Sequence, residues 1–371
     1  MSKIYNGKID NKLLIDATQY IRENIIEDIY WLCTAYNQLK KGNINVLPNN
    51  NEYIYNSNNS NNSNNKNDIL KDLNNSNGNV SDGSSNSELL LESQYEEIID
   101  YIYNIAKEGS YDDIKFDNKL ANKIKTLWNI DLFQKLFQKR RQSHIMDHTP
   151  YFMNNIDRIA KADYKATFDD YIRARHTTTG STSYEFRVDI DNDDSKSEEW
   201  KVTVTDVGGQ RTERKKWDKS LQNKNAIIYV MSLAAYDQVL FEDHTTNCYY
   251  EAFDAFKILL TNDKLKNMDI IVFLNKMDVF KDKITKVPFT KFDPKFNKND
   301  EHNERKVLDY VKKKIEDIFY NDNNVQYNAK RRIDWHITSA TDTKQIETVM
   351  HQTQYSIVRK LLQKEMLNSD Q

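Results

Sequence analysis

An all-helical unit followed by an α/β unit is the fold class that this sequence predicts. Three observations carry it: a long amphipathic stripe near the start, a return of helical patterning up to about residue 170, and short apolar runs alternating with helices after Gly180. At 371 residues the chain has room for two ordinary domains, each with its own core.

Residues 11–41 read as one helix, because Leu14, Ile21, Ile25, Ile29, Leu32, Tyr36 and Leu39 recur at three- and four-residue steps. Cys33 and Trp31 are expected in its packed face or flank. Residues 42–87 are dominated by asparagine and serine and read as a disordered insertion, too poor in apolar surface to offset chain entropy. Helical patterning resumes at Leu89, with Trp128, Leu132, Phe133, Leu136 and Phe137 its densest apolar cluster; Tyr95, Tyr101 and Tyr103 read as helix-packing residues. Domain boundaries are expected at 1–170 and 171–371.

The strand candidates are 184–190, 200–205, 226–232, 269–274 and 333–338. The runs Ala226–Ser232 and Asp269–Leu274 look like buried parallel strands. Helices are expected at 240–262, 303–319 and 344–366. The charged stretch 281–306 reads as a solvated surface excursion, and the acidic residues 191–199 as an exposed hairpin extension.

A net charge of −3 gives no reason to expect nucleic acid. The two cysteines lie far apart and make no metal or redox spacing. No apolar run reaches the roughly 18 residues of a membrane helix. The first residues are too polar for a signal peptide, and Ser2 stands where N-myristoylation needs glycine, so no lipidation signal is seen. A cytoplasmic protein is expected.

Chemistry concentrates in four motifs. Asp206-Val-Gly-Gly-Gln-Arg-Thr-Glu-Arg-Lys-Lys-Trp217 follows a strand. An acidic residue at a strand end can hold a metal, paired glycines let backbone close on a phosphate, and a neighbouring glutamine can orient water. Arg173-Ala-Arg-His-Thr-Thr-Thr-Gly180 sits where the helical and α/β regions join. Phe273-Leu-Asn-Lys-Met-Asp278 and Thr338-Ser-Ala-Thr-Asp-Thr343 end the fourth and fifth strands, where doubly wound sheets bind ligands. Taken singly, each fragment has a plainer reading as a turn, a loop or a solvated face. Their occurrence together and in this order is what carries weight.

On these four motifs, over roughly residues 11–41 and 88–371, the chain resembles the alpha subunits of heterotrimeric G proteins. The stretches Asp147-His148 and Ile156-Asp-Arg-Ile-Ala160 add to the resemblance. It implies a Ras-like, doubly wound α/β GTPase-like domain and an all-α helical domain. It implies GTP or GDP with magnesium as ligands, and a G-protein beta-gamma dimer, a G protein-coupled receptor and a downstream effector as partners. A place at the inner face of the plasma membrane would come through those partners.

By the same resemblance, Arg175 stabilises charge on the transferring phosphoryl group, a role worth on the order of 10³–10⁵ in rate. Gln210 orients the water. Thr178 and Asp206 hold magnesium, and Gly209 senses the γ-phosphate. Asn275 and Asp278 read guanine, Lys276 packs under the base and Ala340 offers its N–H to the guanine O6. Asp147 closes over the nucleotide. His148, Ile172, Arg173, Val207, Gly208 and Met277 flank these groups and count among the nucleotide-binding residues. Arg214, Lys215, Lys216 and Trp217 form a partner surface.

The chain also departs from the family. The N-terminal helix, the first strand and the phosphate loop that open the family's pattern are missing, which leaves a truncated gene product as one expectation. Of the eight glycines, only Gly78 and Gly83 have the loop's spacing, without its lysine. Charge-assisted hydrogen bonds contribute about 1.5–3 kcal/mol each, so losing four or five weakens nucleotide binding by roughly 10⁴-fold or more. Turnover is therefore expected to be weak or absent. The alternative is a non-catalytic module that engages beta-gamma, receptor or effector. In the family the absent strand is central, so 200–205 and 226–232 lose a shared neighbour. Three arrangements stay open: direct pairing, a gap filled by another segment, or a poorly stable α/β half.

Overall fold

The computed structural model describes residues 11–40, 85–107, 111, 114–138, 145–191, 197–240, 242–243, 245–265, 268–321 and 333–369. Most of the asparagine-rich segment lies outside them, as does 192–196 of the acidic hairpin tip. The described residues form two compact units. One lies within 11–175 and 239–245; the other lies within 176–238 and 246–369.

The helical unit is built on α1 (Asn11–Lys40) and α2 (Ser85–Ala106). Of the predicted stripe, Ile21, Ile25, Ile29 and Leu32 are at most 1 % exposed, with Ala17 buried beside them, while Leu14, Tyr36 and Leu39 are half-buried. Cys33 is fully buried beside them, while Tyr101 points outward at 43 % exposure. Shorter helices close the bundle: α3 (Asn118–Trp128), α4 (Asp131–Gln138), α5 (Thr149–Asn154), α6 (Ile156–Ile159) and α7 (Phe168–Arg173). Helix α3 starts where Asp117 accepts the N–H groups of Lys119 and Leu120, and α7 starts with a reciprocal cap between Thr167 and Asp170. Asp170 is fully buried, with Arg158, Tyr151, Tyr164 and the Thr167 N–H all donating to its carboxylate.

The α/β unit holds two separate sheets. Strands β1 (Ser181–Asp191) and β2 (Ser197–Val207) form an antiparallel hairpin, longer at its tip than the alternation suggests. Strands β3 (Ala226–Ser232), β4 (Asp269–Asn275) and β5 (Ile333–Ile337) form a parallel sheet in that order. Six of the seven residues of β4 are buried, as the unbroken apolar run requires of a central strand. Neither direct pairing of β2 with β3 nor a strand between them occurs among the described residues. Among the described residues β3 pairs with β4 alone, and its Val230 is 57 % exposed.

The remaining helices are α8 (Trp217–Ser220), α9 (Cys248–Thr261), α10 (Met277–Lys286), α11 (Glu304–Asn321) and α12 (Thr343–Ser369). Helix α9 is shorter than the expected 240–262. Helix α12 packs on both sheets. Val349 and Met350 meet Ile271 and Phe273 of β4, and farther along Val358 meets Trp200 and Val202 of β2. Both sheets thus pack on one apolar stripe, and among the described residues no strand of one pairs with a strand of the other.

The stretch 281–306 is not a solvated excursion. Phe289 is fully buried and Phe292 is 5 % exposed, and both pack with Tyr249; Phe289 also meets Tyr236, Phe296 and Tyr310. Lys283 is buried with its ammonium on the Ala234 carbonyl (2.6 Å) and Asp237 (2.9 Å). Apart from Lys283, most charged residues of this stretch are exposed or half-buried, while Phe289 and Phe292 close the core.

Candidate functional site

In the α/β unit, the first cluster forms where β1 begins and β2 ends. Thr178 Oγ1 donates to Asp206 Oδ2 at 3.4 Å. Gly180 takes a left-handed φ of +73°, which glycine adopts without strain, and turns the chain into β1. Its carbonyl accepts the Gly208 N–H (3.1 Å), and its own N–H donates to Glu213 Oε2 (2.7 Å). Gly208 is packed so tightly that a Cβ there would stand 2.7 Å from both Glu213 Cγ and the Thr178 carbonyl oxygen. Gly209 is exposed, with free space where a side chain would start. Its N–H lies in a segment where backbone can approach a ligand closely.

The same segment then folds back on itself. The Gln210 carbonyl accepts the N–H groups of Glu213 and Arg214, opening a short 3-10 turn over Arg214–Lys216. Trp217 is 7 % exposed and its indole N–H donates to the Gly208 carbonyl (2.9 Å). Arg214 donates to the Gly209 carbonyl (3.2 Å) and pairs with Glu251 (2.6 Å), which Arg211 also engages. These arginine contacts hold the Glu251 carboxyl below its usual range against the opposing effect of burial. Lys215 and Lys216 are the exposed members of the expected partner surface; Arg214 and Trp217 are turned into the fold.

The second cluster sits at the carboxyl ends of β4 and β5. Lys276 adopts a left-handed φ of 61° and reverses the chain from β4 into α10. Thr338 is fully buried, its N–H on the Leu274 carbonyl and its carbonyl on the Met277 N–H. Asn275 Oδ1 accepts from Thr338 Oγ1 (3.1 Å) and from the Ala340 N–H (3.0 Å). The Ala340 N–H, assigned to guanine by the resemblance, is therefore held by Asn275 here. Ser339 Oγ accepts the Asp278 N–H, and Thr341 donates to the exposed Asp278 carboxylate (3.3 Å). The two loops form one laced rim, with the carboxylate of Asp278 presented outward. Met277 is 9 % exposed and serves the core.

The helical unit carries the remaining positions. Asp147 and His148 are half-buried in the turn before α5. Arg173 binds Asp169 and lies 4.7 Å from the Tyr151 ring centre. Ile172 and Arg175 are half-buried, and the Arg175 N–H donates to Asn24 Oδ1 (2.8 Å). Glu213, Asn24 and Asp28 are absent from the sequence-derived site. Their only signal was a polar residue inside an apolar stripe, or an acid next to a motif.

Thr178 and Asp206 offer two hard oxygen ligands side by side, which suits a magnesium ion that keeps several of its waters. Among the described residues no group of three or more His, Cys, Asp or Glu makes a metal cluster. No described helix is long and apolar enough to cross a membrane.

Comparison with known proteins agrees with the motifs. The family model for the G-protein alpha subunit matches residues 1–357. The guanine nucleotide-binding protein alpha-2 subunit of Caenorhabditis briggsae is 34 % identical over 252 residues, 67 % of this chain and 66 % of that protein. The alpha-17 subunit of Caenorhabditis elegans is 30 % identical over 276 residues, covering 74 % and 73 %. The alpha-12 subunit of Dictyostelium discoideum is 29 % identical over 261 residues, covering 70 % and 69 %. The chain belongs to the G-protein alpha subunit family. It spans just under two thirds of the length of the alpha-2 relatives it matches, 66 % in each.

Proposed function

We propose that this chain is a guanine nucleotide-binding signal transducer of the alpha-subunit type. The observation that carries the reading is the rim around Asn275, Asp278 and Ala340, laced by Thr338, Ser339 and Thr341. An outward carboxylate held at a strand end is the acceptor pair that a guanine N1–H and N2–H₂ require. Asn275 turns from the Ala340 N–H when the base O6 takes that donor. Thr178 and Asp206 would hold magnesium, which supplies charge neutralisation for phosphate oxygens when bound. Gly209 meets the γ-phosphate, Gln210 orients the attacking water and Arg175 offsets the developing charge.

The 371 residues contain no Gly-x-x-x-x-Gly-Lys-Ser/Thr segment. The proposal for this polypeptide is accordingly weak, magnesium-dependent binding and slow turnover. Beta-gamma, a receptor and an effector are the partners that the family implies, with Lys215 and Lys216 on the exposed part of the contact surface.

Titration of the purified chain with fluorescent GTP and ATP analogues tests this. The expected result is guanine-selective binding that needs magnesium and is lost in Asp278→Ala. Equal affinity for both bases refutes the guanine site, and tight binding refutes the reduced phosphate grip. A second reading, a partner-binding module without a nucleotide cycle, draws on the Gly208–Trp217 segment, held by the Trp217 indole on Gly208 and by Arg214 on Glu251. Retention on beta-gamma that is indifferent to nucleotide would favour it.

A further inference from the structure

Helix α1 carries two buried polar side chains one turn apart, Asn24 at 8 % exposure and Asp28 at 2 %. Four-residue spacing stacks them on one face, among Ile21, Ile25 and Leu32. Polar groups in such a stripe are costly unless they are hydrogen-bonded. Each is bonded to the backbone of a distant segment. Asn24 Oδ1 accepts the Arg175 N–H at 2.8 Å, 151 residues away. Asp28 Oδ1 accepts the Met146 N–H at 3.1 Å, 118 residues away, and Oδ2 meets the Thr149 hydroxyl.

Both contacts fall where a helix begins or ends. The last residue at the end of α7 to bond back into the helix is Ala174, whose N–H reaches the Asp170 and Tyr171 carbonyls; ψ of 151° then carries the chain out of helical geometry. Arg175 is the next residue, and α1 supplies its acceptor. At the other segment His148 caps α5 without any side-chain cap hydrogen bond. One carboxyl bonds Met146 and Thr149, either side of Asp147-His148.

We propose that Asn24 and Asp28 are positioning residues for nucleotide chemistry: Asn24 fixes the backbone of Arg175, and Asp28 fixes the turn that presents Asp147 and His148. The assignment rests on the reading of Arg175 and Asp147 as nucleotide-contacting residues. Burial supports it by pushing the Asp28 carboxyl up to about 8, against the Thr149 and Met146 hydrogen bonds. Thr149 has one hydroxyl proton but lies against both Asp28 and the Met146 carbonyl (2.8 Å), so a neutral carboxyl completes the set. Asparagine at 28 would serve the same contacts.

The test uses the full chain with Asn24→Ala, Asn24→Asp, Asp28→Ala and Asp28→Asn. Amide exchange without nucleotide is read first. Asn24→Ala should speed exchange at Arg175 by roughly five- to tenfold and spare Met146, and Asp28→Ala should do the reverse, the loss of one hydrogen bond in each case. GTP turnover at millimolar GTP and magnesium is read second. Asn24→Ala should lower kcat about tenfold with KM nearly unchanged, and Asp28→Ala should raise KM with kcat nearly unchanged. Asn24→Asp and Asp28→Asn should keep wild-type values. Should the alanine variants not fold, Asn24→Ser and Asp28→Ser take their place, with the same split expected. Wild-type turnover combined with unsplit or unchanged kinetics in the variants overturns the positioning role alone. A wild-type chain without guanine-nucleotide binding or turnover overturns the proposed function, and the positioning role with it.

Discussion

Gly208→Ala is the substitution whose consequence the geometry states most directly. The new methyl would stand 2.7 Å from the Thr178 carbonyl oxygen, 2.7 Å from Glu213 Cγ and 2.8 Å from Glu213 Cβ. The Glu213 side chain can swing away, at the cost of its bonds to the Gly180 N–H and Lys216. The Thr178 oxygen is backbone, so relieving it moves the segment that carries Thr178 away from Asp206. Overpacking of this kind costs about 1–3 kcal/mol. In a domain of 150–250 residues each kcal/mol lowers the midpoint by about 2–4 °C, so a drop of about 2–12 °C is expected by calorimetry. Exchange of the Gly180 amide should accelerate in parallel. In a Glu213→Ala background the penalty of Gly208→Ala should shrink, because Cγ is gone, yet persist, because the Thr178 oxygen and the Cβ at 213 remain. An unchanged midpoint, or complete rescue in the double variant, refutes the packing argument.

Other outcomes follow from buried contacts. Asp170→Asn should destabilise the helical unit by about 2–3 kcal/mol, since Arg158 is left in a site built for a carboxylate while keeping partial access to water. Burial works to raise the Asp170 pKa, but hydrogen bonds from Arg158, the Thr167 N–H and Tyr151 outweigh it and hold the carboxyl well below the usual range. Its stabilisation is therefore complete above the unfolded pKa near ~4 and is lost as pH falls below it, a loss that urea titrations between pH 5 and 2 should show for wild type and not for Asp170→Asn. Asp28 has the opposite sign. With its folded pKa raised to about 8, the native state holds the extra proton between ~4 and that value, so stability declines as pH rises across the window. Asp28→Asn should flatten that slope. Val358→Ala removes the contact between α12 and β2 and should cost about 2 kcal/mol, with amide exchange rising first in the hairpin.

Local patterns made the elements legible, and long-range pairing did not follow from them. The apolar run of β4 and the stripe of α1 translate directly into burial, because period and composition act within one segment. Between 281 and 306 the charges dominate the composition and conceal Phe289 and Phe292, which enter the core although their neighbours face water. The hairpin strands, expected at 184–190 and 200–205, run to Asp191 and from Ser197, because backbone pairing in a two-stranded ribbon can continue where side-chain alternation gives nothing to read. The division into two sheets was open from sequence, since which strands share an edge depends on partners far along the chain. The structure resolves it through α12, whose stripe reaches β4 at Met350 and β2 at Val358.

The candidate site shows the same contrast at the scale of single atoms. Motifs such as Asp206–Trp217 are contiguous because backbone must approach a ligand over consecutive residues, so residue types and spacing suffice to find them. The groups that hold those motifs in place obey no such spacing. Glu213 lies inside a motif, yet its task is to receive the N–H of Gly180, 33 residues earlier. Asn24 and Asp28 sit in a helix whose apolar neighbours declare it a packing element, and their partners are 151 and 118 residues away. What marks them in a sequence is only the cost of their presence: a polar atom in a dry stripe has to be satisfied somewhere. Two such residues four apart on a buried face are therefore a reason to look for the backbone they hold. In this chain that backbone belongs to the two segments of the helical unit to which the family resemblance assigns the nucleotide.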